Sequence, residues 1–205
     1  PDHKVITYVN TPASIKALSD ITCTSTNAVK IINSIPSDEQ IIFAPDKNLG
    51  NYLSAITGRE MVLWNGSCHV HEQFSIKKIL ELKEQNHEAK LLAHPECQEP
   101  VRIAADFVGS TSALLRFVKT DRSHQYIVAT DSGIIHQMQK HKPEKQFIPA
   151  PGIDSTCGCS DCEFMKMNTL QKILGCLKSE KPEVNLSEEL VENARLPIER
   201  MLELS

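Results

Sequence analysis

Three cysteines, Cys157, Cys159 and Cys162, fall in the spacing C-x-C-x-x-C. The chain carries seven cysteines and no secretion signal, which argues against a disulfide framework and for metal or redox chemistry. Zinc would want a fourth ligand at motif spacing, and none follows nearby. An iron–sulfur cluster can draw thiolates from distant parts of a chain. Cys68, in Gly66-Ser67-Cys68-His69, is the distant candidate. Polar groups able to bind or move protons stand at Tyr8-Val9-Asn10, Thr24-Ser25, His94-Pro95-Glu96 and Ser110-Thr111. Hydroxyls ahead of a helix suit a carboxylate or phosphate, although capping alone accounts for either Ser/Thr pair. Tyr8, His94 and Glu96 share one rim with both pairs, which favours anion binding.

Other polar residues have plainer roles. Asp46 and Asp131 read as turn and cap residues. His69 and His71 flank Val70 and would face opposite sides of an extended segment. His69, beside Cys68, is then the site candidate, and His71 pairs locally with Glu72. His136 and His141, among Gln and Lys, read as a solvated helix face. Cys176 lies in an apolar helical run and reads as a small core residue, while Cys23 and Cys97 carry no spacing signal.

The chemistry-bearing residues recur because the chain repeats itself. Lys4-Val5-Ile6-Thr7-Tyr8-Val9-Asn10 aligns with Lys90-Leu91-Leu92-Ala93-His94-Pro95-Glu96, an offset of 86. The same offset pairs Asp20 with Asp106 and Thr24-Ser25 with Ser110-Thr111. One deletion later, residues 40–46 align with 125–131. A period of about 85 residues is too long for a solenoid, so each copy is a small domain. Apolar strand patterns at 5–9, 20–23, 40–44 and 60–64 recur at 90–93, 106–108, 125–129 and 146–148. Segments of helical period separate them, clearest at 75–85, where Ile76, Ile79, Leu80 and Leu82 share a face. Strands of continuous Val, Ile and Leu between helices imply parallel sheets covered on both faces. The fold class is α/β, with two pseudo-equivalent three-layer domains, each on a four-stranded parallel sheet. They span residues 1–86 and 87–167, and helices fill 168–205, where Ser187 caps the last helix and Pro197 should kink or split it. Ligands of such sheets bind outside the carboxyl ends of the strands. That is where the candidate residues stand.

With a net charge of −4, the chain has no basic footprint for nucleic acid. No apolar run reaches the length of a membrane span. If each repeat gives one cysteine to a shared centre, the chain gives two, too few for a cubane. The start at Pro1, close to a strand, suggests that a third copy with a third cysteine has been cut away.

Seven stretches together resemble quinolinate synthase, the iron–sulfur enzyme family of NAD biosynthesis. They are Tyr8-Val9-Asn10-Thr11, residues 43–50, Gly66-Ser67-Cys68-His69-Val70-His71-Glu72, His94-Pro95-Glu96-Cys97, residues 108–112, residues 129–134, and Cys162-Glu163-Phe164-Met165-Lys166-Met167-Asn168. The resemblance covers essentially the whole chain. It implies a three-domain pseudo-threefold architecture, of which the chain resembles the second and third domains. It also implies a 4Fe-4S cluster with one cysteine from each domain and one open iron. Cys68 and Cys162 would be ligands, with the third cysteine in the missing N-terminal domain. Tyr8, Asn10, His69, His94 and Glu96 would line the substrate pocket, with Glu96, His94 and Tyr8 filling the acid and base roles of the catalytic step, and Ser25, Ser110 and Thr111 would hold carboxylate or phosphate oxygens. The implied reaction condenses iminoaspartate with dihydroxyacetone phosphate to give quinolinate, phosphate and water. An aspartate-oxidising enzyme would supply the iminoaspartate, and the setting would be cytoplasmic. The fragment alone should be inactive. Two other readings compete. One is a non-catalytic binding module stabilised by zinc or a disulfide at the C-x-C-x-x-C. The other is an unrelated enzyme using Cys68-His69 as nucleophile and base, disfavoured because adjacent residues rarely meet in that geometry.

Overall fold

The computed structural model describes residues 3–153 and 161–205. Cys157 and Cys159 lie outside the described residues. The first repeat runs β1 (His3–Tyr8), α1 (Ala13–Lys16), β2 (Ile21–Cys23), α2 (Ala28–Ser34), β3 (Gln40–Phe43), α3 (Lys47–Thr57) and β4 (Val62–Leu63). Helices α4 (His69–Glu72) and α5 (Ile76–Gln85) follow. The second runs β5 (Lys90–Ala93), α6 (Glu99–Ala104), β6 (Phe107–Val108), α7 (Thr111–Thr120), β7 (Gln125–Ala129), α8 (Gly133–His141) and β8 (Gln146–Pro149). The chain closes with α9 (Glu163–Lys166), α10 (Leu170–Ser179) and α11 (Glu188–Glu203).

Each sheet has four parallel strands, ordered β2-β1-β3-β4 and β6-β5-β7-β8. Their registers repeat as well: Thr7 pairs with Thr22 as Ala93 pairs with Val108, and Lys4 with Ile41 as Lys90 with Tyr126. The pairing therefore preserves the 86-residue offset and the single deletion. Strand alternation sorts each repeat into three layers. In the first, Ile6, Ile21 and Phe43 pack with Ile31, Ile32, Leu49 and Leu53 from α2 and α3. On the opposite face, Thr7 meets Ser19, and Thr22 donates to the Pro197 carbonyl of α11 at 3.2 Å. In the second, Leu91, Ala93, Ile127 and Ala129 pack with Val70, Phe74 and Ile79. Leu92, Tyr126 and Val128 pack with Leu114, Val118 and Met138 from α7 and α8.

One of the two outcomes expected at Pro197 does not occur, and the reading of Cys176 fails. Pro197 does not split α11, which runs unbroken over 16 residues. Burying Ala194, Pro197 and Met201 against β2 outweighs the backbone bond that proline cannot make. Cys176 is exposed, because α10 buries none of its residues among those described. The amphipathic pattern there found no partner. No described helix is long and apolar enough to cross a membrane.

Candidate active site

The carboxyl ends of both sheets open onto one cavity of about 840 Å³. Short strands deliver residues to it directly. Tyr8 ends β1, while His94 and Glu96 follow β5. Ser25 stands in the turn before α2, and Thr111 opens α7. Cys68 and Cys162 each precede a four-residue helix, α4 and α9. Asn10 and His69 also line the cavity. Ser110 does not line it. Its hydroxyl caps α7 through the Ala113 N–H at 3.3 Å and accepts from the Thr26 hydroxyl at 3.1 Å. It thereby ties the two repeats together beside the cavity.

A polar chain crosses between the repeats. The Ser25 N–H donates to the Tyr8 phenol oxygen at 3.3 Å, and Ser25 Oγ lies 3.2 Å from His94 Nε2. The Glu96 N–H donates to His94 Nδ1 at 3.2 Å. His94 Nδ1 is therefore an acceptor, and in the neutral ring the proton sits on Nε2, aimed at Ser25. Burial, together with the neighbouring charge of His71, pushes the His94 pKa down to about 4, so the ring is neutral near pH 7. Burial also raises the Tyr8 pKa and keeps it a phenol. Its oxygen accepts from Ser25, and the O–H is the one donor of this side chain at the cavity.

His71 occupies the centre of the array. Its ring stacks on His94 at 4.5 Å between centroids, Nε2 bonds with the Thr130 hydroxyl at 3.0 Å, and Nδ1 lies 3.2 Å from Glu96 Oε2. This contact is an ion pair by distance, although Nδ1 has no aligned hydrogen-bond partner. Burial opposes charge on both groups. Mutual attraction and hydrogen bonds outweigh it, so His71 is raised and Glu96 lowered. A protonated imidazole, a carboxylate and a neutral imidazole thus sit within one desolvated corner, where polar groups act strongly.

The local pairing of His71 with Glu72 does not occur. Glu72 instead accepts from Asn48 at 2.7 Å and from Gln98 at 2.9 Å. The expectation assumed an extended segment, and the segment is a helical turn. On a helix, residues three apart share a face, so Cys68 and His71 meet. The C-x-x-H spacing was the available signal. His69 stands edge-on to Phe164 at 5.2 Å, with Nε2 buried and unpartnered. Thr130, Phe164 and Met165, which lie within the matching stretches but were not singled out, and Gln137, which lies outside them, also line the cavity.

A family model described as Quinolinate synthetase A protein matches residues 1–203. The chain belongs to the quinolinate synthetase A family. It is 56% identical to the quinolinate synthase of Microcystis aeruginosa, 55% to that of Thermosynechococcus vestitus and 54% to that of Chloroherpeton thalassium, in each case over all 205 residues. It spans 64% of the length of each of these relatives.

Cys68, His71 and Glu96 bring one ligand atom each to within 4.8 Å of one another. A single zinc ion could use that mixed set, but it would leave Cys162 without a role. Cys68 and Cys162 are free thiols, partly exposed, on the same cavity wall system. Two free thiols lining one cavity are the ligand type of an iron–sulfur centre, and Cys68 and Cys162 are the residues that would hold one.

Proposed function

We propose that the complete protein is a quinolinate synthase of NAD biosynthesis, condensing iminoaspartate with dihydroxyacetone phosphate and releasing phosphate and water. The chain then supplies two of three α/β units, residues 1–86 and 87–167, with 168–205 as C-terminal helices. One observation carries the proposal: Cys68 and Cys162 enter one cavity from the same position of two equivalent repeats, beside a His71–Glu96–His94 array. The pair would hold two irons of a 4Fe-4S cluster, with a third cysteine from the part of the protein beyond this chain. When bound, the cluster supplies a Lewis-acidic open iron that polarises a substrate oxygen.

The chain's own residues do the rest. Glu96, held ionised beside His71, is the base that takes a proton from carbon or nitrogen of the condensing substrates. Neutral His94 presents an Nε2–H that can turn from Ser25 to a substrate oxygen, and the Tyr8 phenol donates to a leaving hydroxyl. Asn10, Ser25, His69 and Thr111 orient carboxylate or phosphate oxygens at the rim, and Ser110 holds that rim together across the repeats. An aspartate-oxidising enzyme is the natural source of the unstable imine, and the cytoplasm the natural setting.

The test is anaerobic reconstitution of the complete protein, followed through its visible iron–sulfur absorption and quinolinate formation. Both should appear together. Cys68→Ala or Cys162→Ala should abolish the cluster, and Cys157→Ala should leave it. Zinc at one ion per chain with no visible absorption would overturn the proposal.

A further inference from the structure

Asp46 and Asp131 occupy equivalent places after β3 and β7, and each uses one carboxylate oxygen as a local cap. Asp46 Oδ1 accepts from the Leu49 N–H at 2.7 Å, and Asp131 Oδ1 from the Gly133 N–H at 3.0 Å. Capping accounts for those bonds and for nothing more. The second oxygens do something else. Asp46 Oδ2 accepts the backbone N–H of Cys68 at 2.7 Å, across 22 residues. Asp131 Oδ2 accepts the backbone N–H of Cys162 at 2.9 Å, across 31 residues. The same atom of equivalent aspartates thus reaches the cysteine that enters the cavity from its own repeat.

The two cysteines are also alike in backbone. Cys68 has φ −71° and ψ 118°, and Cys162 has φ −77° and ψ 110°, each at the N-cap of a four-residue helix. An N-cap N–H lies outside the helix's own ladder, and a Glu or Gln at the third helical position often satisfies it. Here those positions hold His71 and Met165, so the distant aspartate supplies the acceptor. At Gly133 an added Cβ would come within 3.0 Å of Asp131 Oδ1, so a side chain there would press on the carboxylate.

We propose that Asp46 and Asp131 are paired positioning residues, each tethering the backbone of one cysteine so that both thiols face a common centre before the cluster binds. The proposal rests on the cluster reading given above. A carboxylate is a strong acceptor for a backbone N–H, and partners one shell away from a metal ligand commonly govern retention of the metal.

Asp131→Asn in the complete protein tests it, with Asp46→Asn as the second variant. Asn caps helices as well as Asp does, and its remaining oxygen can serve only one of the two N–H groups. In cluster-free protein, amide exchange at Cys162 should accelerate about tenfold in Asp131→Asn, with α8 amides unchanged. In reconstituted protein, iron should pass to a chelator on the order of 10–100-fold faster than in wild type, and the electron paramagnetic signal of the reduced cluster should change. The Asp46→Asn variant should do the same at Cys68. Wild-type exchange at the cysteine amide together with wild-type iron retention would sink the inference alone. A wild-type protein that takes up no cluster would sink the cluster reading and the inference with it.

Discussion

At the scale of single residues, the site is a set of charges arranged so that burial does not neutralise them. Contacts with Cys68 and Glu96 hold His71 charged against its burial, His71 in turn helps hold Glu96 ionised, and His94 stays neutral chiefly because it is buried, with the charge of His71 adding to that. In the complete protein, Glu96→Gln should lower kcat by about 10²–10⁴-fold, the range for loss of a positioned base, measured as quinolinate formed at saturating substrate. The pH dependence of stability follows from His94. Its folded pKa is depressed to about 4, below the unfolded value. Its contribution is therefore complete above the ordinary histidine range and is lost as pH falls toward 4. Over that window the cluster-free protein should lose on the order of 3 kcal/mol, and His94→Gln should flatten that limb. Urea unfolding at stepped pH measures both. An unchanged acid limb in His94→Gln would show that this ring is not the group being titrated.

At the scale of elements, helices meet sheets closely enough for single atoms to count. A Cβ at Gly50 would lie 2.6 Å from Leu63 Cδ2 and 3.1 Å from Phe43 Cδ1. Gly50→Ala should therefore destabilise by about 1–3 kcal/mol through overpacking, despite the better helix propensity of Ala. In α11, Met201 is buried on β2 beside Thr22. Met201→Ala should cost about 2–5 kcal/mol. Chemical denaturation reads both. A stabilised Gly50→Ala would mean that α3 can move off the sheet, and with it the Asp46 that caps it.

At the scale of the whole molecule, α9 and α10 leave a broad apolar face open. Phe164 and Met165 are more than half exposed, as are Leu170, Leu174 and Leu177 on α10. A patch of this kind marks an interaction surface or a tendency to associate. The 205-residue chain alone should sediment above monomer mass at micromolar concentration, and Leu174→Glu with Leu177→Lys should restore the monomer. On the proposed reading the same chain should form no quinolinate, because Cys68 and Cys162 are one cysteine fewer than the proposed cluster uses. Quinolinate formation by the isolated chain would show that nothing further is needed.

The repeat and the eight strands were legible in the sequence, as was the strand-end rim on which the candidate residues stand, because strand periodicity and the 86-residue offset are local or self-referential patterns. Cys68, His94 and Glu96 stood out for the same reason: each sits just beyond a strand end. What stayed hidden depended on neighbours remote in the chain. His71 looked like half of a local pair until α4 proved helical and turned its ring toward Glu96 and Thr130. Asp46 and Asp131 looked like caps because their second oxygens bond 22 and 31 residues away. Cys176 looked buried because an amphipathic pattern records that a face wants covering, not whether anything covers it. Pro197 looked like a kink or a split because helix propensity is a local quantity, and the packing of α11 on β2 keeps the helix unbroken through it.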